Sequence, residues 1–375
     1  MAFELNQQIF AWLCIYPATS SLWVKRFNVS VTVVVLITEL LAEIASALFI
    51  YEFVGSDFEN CLYALFQVAA LFSVIYMWLI AFILRETIYD IFTKFQQIYD
   101  SSNYFSDITD ENTSLAVYLN EANVKITWST KALAIFLPSA FLVILTTMGI
   151  INISYCLLVY GHIVGDRLYF PYYFILPWNQ RTLCGWIGLN LLSAGAASFY
   201  MIIDYSILSF FVGICEYHHV FPEFFGVLMN ELDHRINSNA NQFKDLFVKL
   251  IYFHNTARGM FSETADFFSL FIFIQLACSV IYLACSIFLT DIIMQHFDLS
   301  IGVLCSCVFI SGSNLFLYCY YGGRATIDIV SYSNLLFESA WFKLPIEFQK
   351  LVIVMIANAQ IPIDYDGFGV ARLNL

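Results

Sequence analysis

Residues 61–84 read CLYALFQVAALFSVIYMWLIAFIL, an apolar run without a charged residue, and Arg85 follows it at once. About 20 helical residues cross a hydrocarbon core roughly 30 Å thick, so this stretch is long enough to span a bilayer. A strand of a membrane barrel would instead be about 10 residues of alternating polarity. Working outward, five similar runs occupy Val29 to Phe53, Lys131 to Tyr160, Gly185 to Cys215, Phe267 to Leu289 and Leu299 to Tyr321. The pattern predicts an all-α, polytopic membrane helical bundle of six spans. A further run, Leu351 to Ala357, is too short to cross.

Positive charge orients these spans, because Lys and Arg stay on the cytoplasmic side of an inserted bundle. Lys25 and Arg26 precede the first span, Arg85, Lys94, Lys125 and Lys131 follow the second, Arg235, Lys244, Lys249 and Arg258 follow the fourth, and Arg324, Lys343, Lys350 and Arg372 follow the sixth. Only Arg167 and Arg181 fall on the other side. The N-terminus is therefore expected in the cytoplasm. The sequon at Asn112 lies in a connection that this orientation keeps inside, so Asn112 is expected to carry no glycan. A glycosidase-sensitive gel shift that disappears in Asn112→Gln would reverse the topology.

At 60% hydrophobic and 12% charged residues the chain is too apolar for an ordinary soluble domain. Its net charge of -13 supplies no basic footprint for nucleic acid. Residues 1–24 lack the basic, apolar and small-residue order of a cleaved signal peptide. Phe3, Leu5, Ile9, Phe10, Trp12 and Leu13 predict an amphipathic helix lying against the inner leaflet.

No linker or repeat divides the chain, so residues 1–375 read as one domain. Helical periodicity in Phe224, Val227, Leu228 and Leu232, then in Phe243, Leu246, Phe247, Leu250, Ile251 and Phe253, predicts that spans four and five continue into the cytoplasm. Ile329 to Phe342 and Phe348 to Ala359 read as two more short amphipathic pieces. Residues 216–266 and 322–360 would together form a cytoplasmic helical anchor suited to assembly.

Polar and reactive residues inside the apolar runs offer few enzymatic readings. Glu39 and Glu43, four residues apart, are either an ion or proton site or an inward-facing pair, partly protonated and bonded to Thr38 or Ser46; the second reading is preferred. Asp204, beside Tyr205, is treated alike. His218 and His219 with Glu216 and Glu223 do not reproduce the zinc-helix spacing, and Cys305-Ser306-Cys307 lies within a span, so no metal or redox centre is expected. Cys61, Cys156 and Cys184 fall near the outer face, where a bridge is permitted without the sequence choosing a pair. Cys14, Cys215, Cys278, Cys285 and Cys319 read as small hydrophobes. Neither a phosphate-binding loop nor a nucleophile setting is present, so no catalytic residue, cofactor or enzymatic activity is expected.

Aromatic residues make up 18% of the chain. Phe66, Phe72, Tyr76, Tyr155 and Phe309, interspersed with Ser73, Asn152, Asn190 and Ser193, are the candidate lining of an apolar cavity with a few hydrogen-bonding groups. Such a lining suits a small volatile or lipophilic ligand.

From Ile251 to Leu375 the chain resembles the C-terminal part of insect odorant receptors. The residues that carry the resemblance are His254, Phe261-Ser262 and Gln275, then Tyr318-Cys319-Tyr320-Tyr321-Gly322, then Ser339-Ala340-Trp341-Phe342-Lys343-Leu344-Pro345. Gln349-Lys350-Leu351 and Met355-Ile356-Ala357-Asn358-Ala359-Gln360-Ile361-Pro362 follow. More diffusely the likeness extends to Asp204 to Leu232 and Pro171 to Trp178.

The resemblance implies an odorant-tuned subunit that joins a common co-receptor in a tetrameric, odorant-gated non-selective cation channel. It implies a ligand pocket mainly among helices two, three, four and six, sometimes with five, and residence in the dendritic membrane of olfactory sensory neurons. Assembly would use the inner ends of helices four to six and the cytoplasmic first part of helix seven, here roughly Phe224 to Phe253, Tyr321 to Phe342 and Lys350 to Gln360. Family members continue beyond the position of Leu375 into a final pore-lining helix, whereas this chain stops at Arg372-Leu373-Asn374-Leu375. A truncated, non-conducting receptor is therefore an expectation beside a working subunit. A gustatory-type receptor is the nearest alternative. A G-protein-coupled receptor needs the opposite N-terminus, and a transporter an internal repeat.

Overall fold

The computed structural model describes residues 3–13, 15, 22–56, 58–100, 105, 114–160, 182–235, 240–296, 300–361, 363–367 and 369. Asn112, Arg167, residues 171–178, Arg181, Cys14 and residues 372–375, all used above, lie outside that set, as do the side chains of Cys305 and Cys307. Ten α-helices order the described residues: α1 (Glu4–Trp12), α2 (Leu22–Phe53), α3 (Phe58–Ile83), α4 (Arg85–Asp100), α5 (Leu115–Lys131), α6 (Leu137–Tyr160), α7 (Leu183–Arg235), α8 (Ala240–His296), α9 (Ser300–Glu338) and α10 (Ile346–Ala359). A single π turn, Ala132–Phe136, joins α5 to α6 just before Pro138. The all-α expectation holds.

Length explains the architecture. Helices α7, α8 and α9 contain 53, 57 and 39 residues, which at 1.5 Å per residue is about 80, 85 and 60 Å. Each is far longer than a hydrocarbon core of about 30 Å, so each carries an extension beyond its apolar span. Ring contacts fix their registers. Phe211 meets Phe268, His218 stacks on Phe261 at 3.6 Å between centroids, and Phe225 meets His254, so α7 and α8 run antiparallel. Phe211 also meets Tyr318 and Phe225 meets Tyr332, so α9 runs parallel to α7. This aromatic core holds α7 helical through Pro222, where a proline by itself costs about 3 kcal/mol.

By length and composition, three helical stretches among the described residues can cross a membrane: Thr32–Phe53, Ser198–Arg235 and Phe243–Phe288. A fourth is Leu71–Ile83 continued into Arg85–Asp100 across a 67° bend. The bend falls where the apolar run meets Arg85, whose guanidinium lies 5.1 Å from the centre of the Phe82 ring. The other two apolar runs lie on α6 and the start of α9, where many side chains are outside the described set.

The structure corrects three expectations. Residues 3–13 do form a helix with one apolar face, but that face enters the protein instead of a leaflet. Phe3 and Phe10 are buried, and the Phe3 ring packs against Phe92, Phe95, Phe210 and Tyr217 at 5.1–5.6 Å between centroids. Asn6 supplies the physical reason. Its amide donates to Ser209 Oγ at 3.0 Å and accepts from Thr130 Oγ1 at 3.0 Å, partners that lipid could not offer. Trp12, 77% exposed, points outward with Glu4 and Gln8.

Second, the stretch beginning at Ile329 is not a separate piece, because α9 continues unbroken to Glu338 through Gly322-Gly323. Burial of Ala325, Ile329, Tyr332 and Leu336 along one face outweighs the roughly 1 kcal/mol of helix propensity that each glycine costs. The chain then turns at Trp341–Lys343, and Gln349 Nε2 fastens the turn by donating to Phe342 O and Leu344 O at 2.9 and 2.8 Å.

Third, Thr38 Oγ1 donates to Val34 O at 2.8 Å and leaves Glu39 unserved. Neither Glu39 oxygen has a hydrogen-bond partner, although the residue is 1% exposed. A mid-helix threonine finds its own i−4 carbonyl closer than a neighbouring side chain. None of Cys61, Cys156 and Cys184 forms a disulfide.

Candidate functional site

The candidate ligand-lining residues are distributed over α3, α6, α7 and α9. On α3, Phe72 and Tyr76 are one helical turn apart, and their rings tilt together with centroids 4.1 Å apart. Both are partly open, at 38% and 42% exposure, whereas Ser73, one turn before Tyr76, is buried. On α7, half-buried Asn190 donates from Nδ2 to Trp186 O at 2.9 Å. Phe309 on α9 is 73% exposed and stands apart from the enclosed core. The side chains of Phe66, Asn152, Tyr155 and Ser193 lie outside the described residues. The structure thus pairs Phe72 with Tyr76, buries Ser73 beside them, and leaves Phe309 on an open face.

Sequence reading misses Trp186 of α7, which packs against α6. It is buried with Cys156, and a methyl group at Gly149 would lie 3.7 Å from its Cη2. The available signal was a small residue on one helix facing a large one on the next, and only coordinates reveal that facing. The Phe72–Tyr76 pair offers an aromatic surface with one phenol, which can meet a small lipophilic molecule by shape and a hydrogen bond.

Nearer the extended end of the bundle lies a second buried polar group. Thr264 Oγ1 is 2.8 Å from Met260 O, 3.0 Å from His218 Nε2 and 2.9 Å from the Tyr365 hydroxyl. One hydroxyl has one hydrogen, so the shortest contact assigns it to Met260 O. Thr264 then accepts from both His218 Nε2–H and Tyr365 O–H. This places the histidine proton on Nε2 and agrees with an unpartnered His218 Nδ1.

His219 next to it pairs with Asp328 at 3.0 Å and with Glu223 at 3.3 Å. Burial pushes the Asp328 carboxyl up from its ordinary range, and the neighbouring His219 pulls it back down. Among the described residues no group of three or more His, Cys, Asp and Glu is arranged to hold a metal.

The family model described as 7tm Odorant receptor matches residues 58–375. The solved insect olfactory receptor OR5 from Machilis hrabei, in complex with eugenol, superposes with a TM-score of 0.73. That match is 11% identical and covers 100% of this chain and 93% of the receptor. A second structure of OR5 gives 0.71 at 10% identity, covering 100% and 94%. At these identities the likeness is one of fold. No curated protein matches the chain.

Proposed function

The chain belongs to the 7tm odorant receptor family, and we propose that it is an odorant-tuned subunit which binds small volatile ligands within the membrane and, with a common co-receptor, gates a non-selective cation channel. The family match over residues 58–375 carries this reading. In the proposed arrangement six helices span the plasma membrane of olfactory neurons, with the N-terminus and the extended ends of α7, α8 and α9 in the cytoplasm.

Ligand specificity is assigned to Phe72 and Tyr76 of α3 and Asn190 of α7, together with Phe66, Ser73, Asn152, Tyr155 and Ser193. Assembly is assigned to the extension beyond span six. Ile327, Phe337, Ile346 and Val354 are between 56% and 71% exposed there. Large apolar side chains at a water-facing position favour burial against another subunit.

Whole-cell currents from cells co-expressing the chain and the co-receptor test this reading. The odorant panel should include phenolic aromatics such as eugenol, and cells with co-receptor alone serve as the control. Odorant-evoked cation current absent from the control is expected. In Tyr76→Ala and Asn190→Leu the half-maximal odorant concentration should rise about tenfold, the loss of one good contact, with maximal current retained. Silence despite confirmed surface assembly would refute the channel reading.

A further inference from the structure

Asp204 is the one acid on α7 between Leu183 and Cys215, and it is completely buried. Asn314 of α9 donates from Nδ2 to Asp204 Oδ2. The remaining oxygens of this pair, Asp204 Oδ1 and Asn314 Oδ1, have no hydrogen-bond partner. A third helix contributes at the same level. Successive antiparallel pairs are Phe225 with His254, His218 with Phe261, and Phe211 with Phe268. Two further turns along that register, Gln275 of α8 stands level with Asp204. Gln275 is 6% exposed, and its Oε1 also lacks a partner. Tyr318, one turn past Asn314, has a buried hydroxyl without a partner as well.

We propose that Asp204, Asn314 and Gln275 bind a monovalent metal cation between α7, α8 and α9. Asp204 Oδ1, Asn314 Oδ1 and Gln275 Oε1 are three buried acceptor oxygens contributed by three helices, the ligand type that a hard cation takes, and the Tyr318 hydroxyl oxygen can add to its shell. Charge sets the valence: the site has one carboxylate and two neutral amides, so a single positive charge balances it, whereas a divalent ion would leave a buried surplus. The position lies about 20 Å along α7 from Asn190, so it is separate from the odorant wall.

Thermal unfolding of the purified full chain in detergent tests the proposal without any odorant response. Sodium, potassium and N-methyl-D-glucamine chlorides are compared at equal ionic strength. Sodium or potassium should raise the midpoint saturably, by about 2 °C or more when in large excess over the dissociation constant. The rise should vanish in Asp204→Asn, which keeps the shape and removes the charge. In Gln275→Leu the cation concentration needed for half the effect should rise about tenfold. If Asp204→Asn does not fold, the salt series on the unaltered chain and on Gln275→Leu still decides. Identical midpoints in all three salts overturn the proposal, as do a midpoint that follows pH alone and a cation effect that persists in Asp204→Asn.

Discussion

A receptor carrying Phe3→Ala is expected to lose about 3–5 kcal/mol of stability and one carrying Gly213→Ala about 1–3 kcal/mol, yet the double variant should lose less than the two combined. In an exposed helix, Gly→Ala would be favourable by about 1 kcal/mol, because alanine has the better helix propensity. At Gly213 the sign reverses. A Cβ there would sit 2.6 Å from Phe3 Cε1 and 3.2 Å from Ile126 Cγ2. A ring edge can often swing aside, but this ring is enclosed by Phe92, Phe95, Phe210 and Tyr217. Removing the Phe3 ring opens the space that the new methyl needs, which is why the losses should couple. Thermal unfolding of the four proteins in one detergent measures the coupling. Strict additivity would mean that Phe3 does not occupy the slot at Gly213, and a neutral Phe3→Ala would return the N-terminal helix to the leaflet.

That helix also marks the limit of what the sequence makes legible. Spans are readable because the bilayer imposes a length and a composition on each segment independently of its neighbours. The destination of an amphipathic helix is not imposed locally, since an apolar face suits a leaflet and a protein groove equally well. Asn6 was the available clue, being a carboxamide on the buried side that demands polar partners. The continuity of α9 was hidden for a related reason. Gly322-Gly323 is a local breaking signal, and what overrides it is packing on α7 and α8, distant in sequence.

The candidate odorant wall divides in the same way. Periodicity places Phe72 and Tyr76 together, because i and i+4 share a helix face. It also puts Ser73 one turn before Tyr76 without showing that Ser73 is the buried member of the three, and it carries no information on what stands opposite Phe309. Asp204 was visible as an anomaly, and the amides of Asn314 and Gln275 became meaningful only once three helices were in register. Tyr365 lies beyond α10, where no periodic pattern exists to assign it.

Tyr365 is nevertheless part of the second large effect. Thr264→Val, nearly identical in shape, is expected to cost about 2–6 kcal/mol, because it leaves His218 Nε2–H and Tyr365 O–H as two buried donors at about 1–3 kcal/mol each. Thr264→Ser keeps the hydroxyl and should recover most of the loss, which separates the hydrogen bonds from packing. The damage should concentrate in residues 361–369. Arg258 Nη2 donates to Ile361 O at 2.9 Å, and Gly367 lies so close to α8 that a Cβ would be 3.0 Å from Phe273 Cα. The Tyr365 ring also stands edge-on to Phe211, 5.2 Å between centroids, where α7 already meets Phe268 of α8 and Tyr318 of α9. One hydroxyl thus ties the last described segment to the crossing of the three longest helices. Hydrogen exchange over residues 361–369 should quicken in Thr264→Val while exchange in α2, remote from the group, stays unchanged. Equal exchange in the valine and serine variants would show that shape alone holds the segment and that the shared hydroxyl contributes nothing to it.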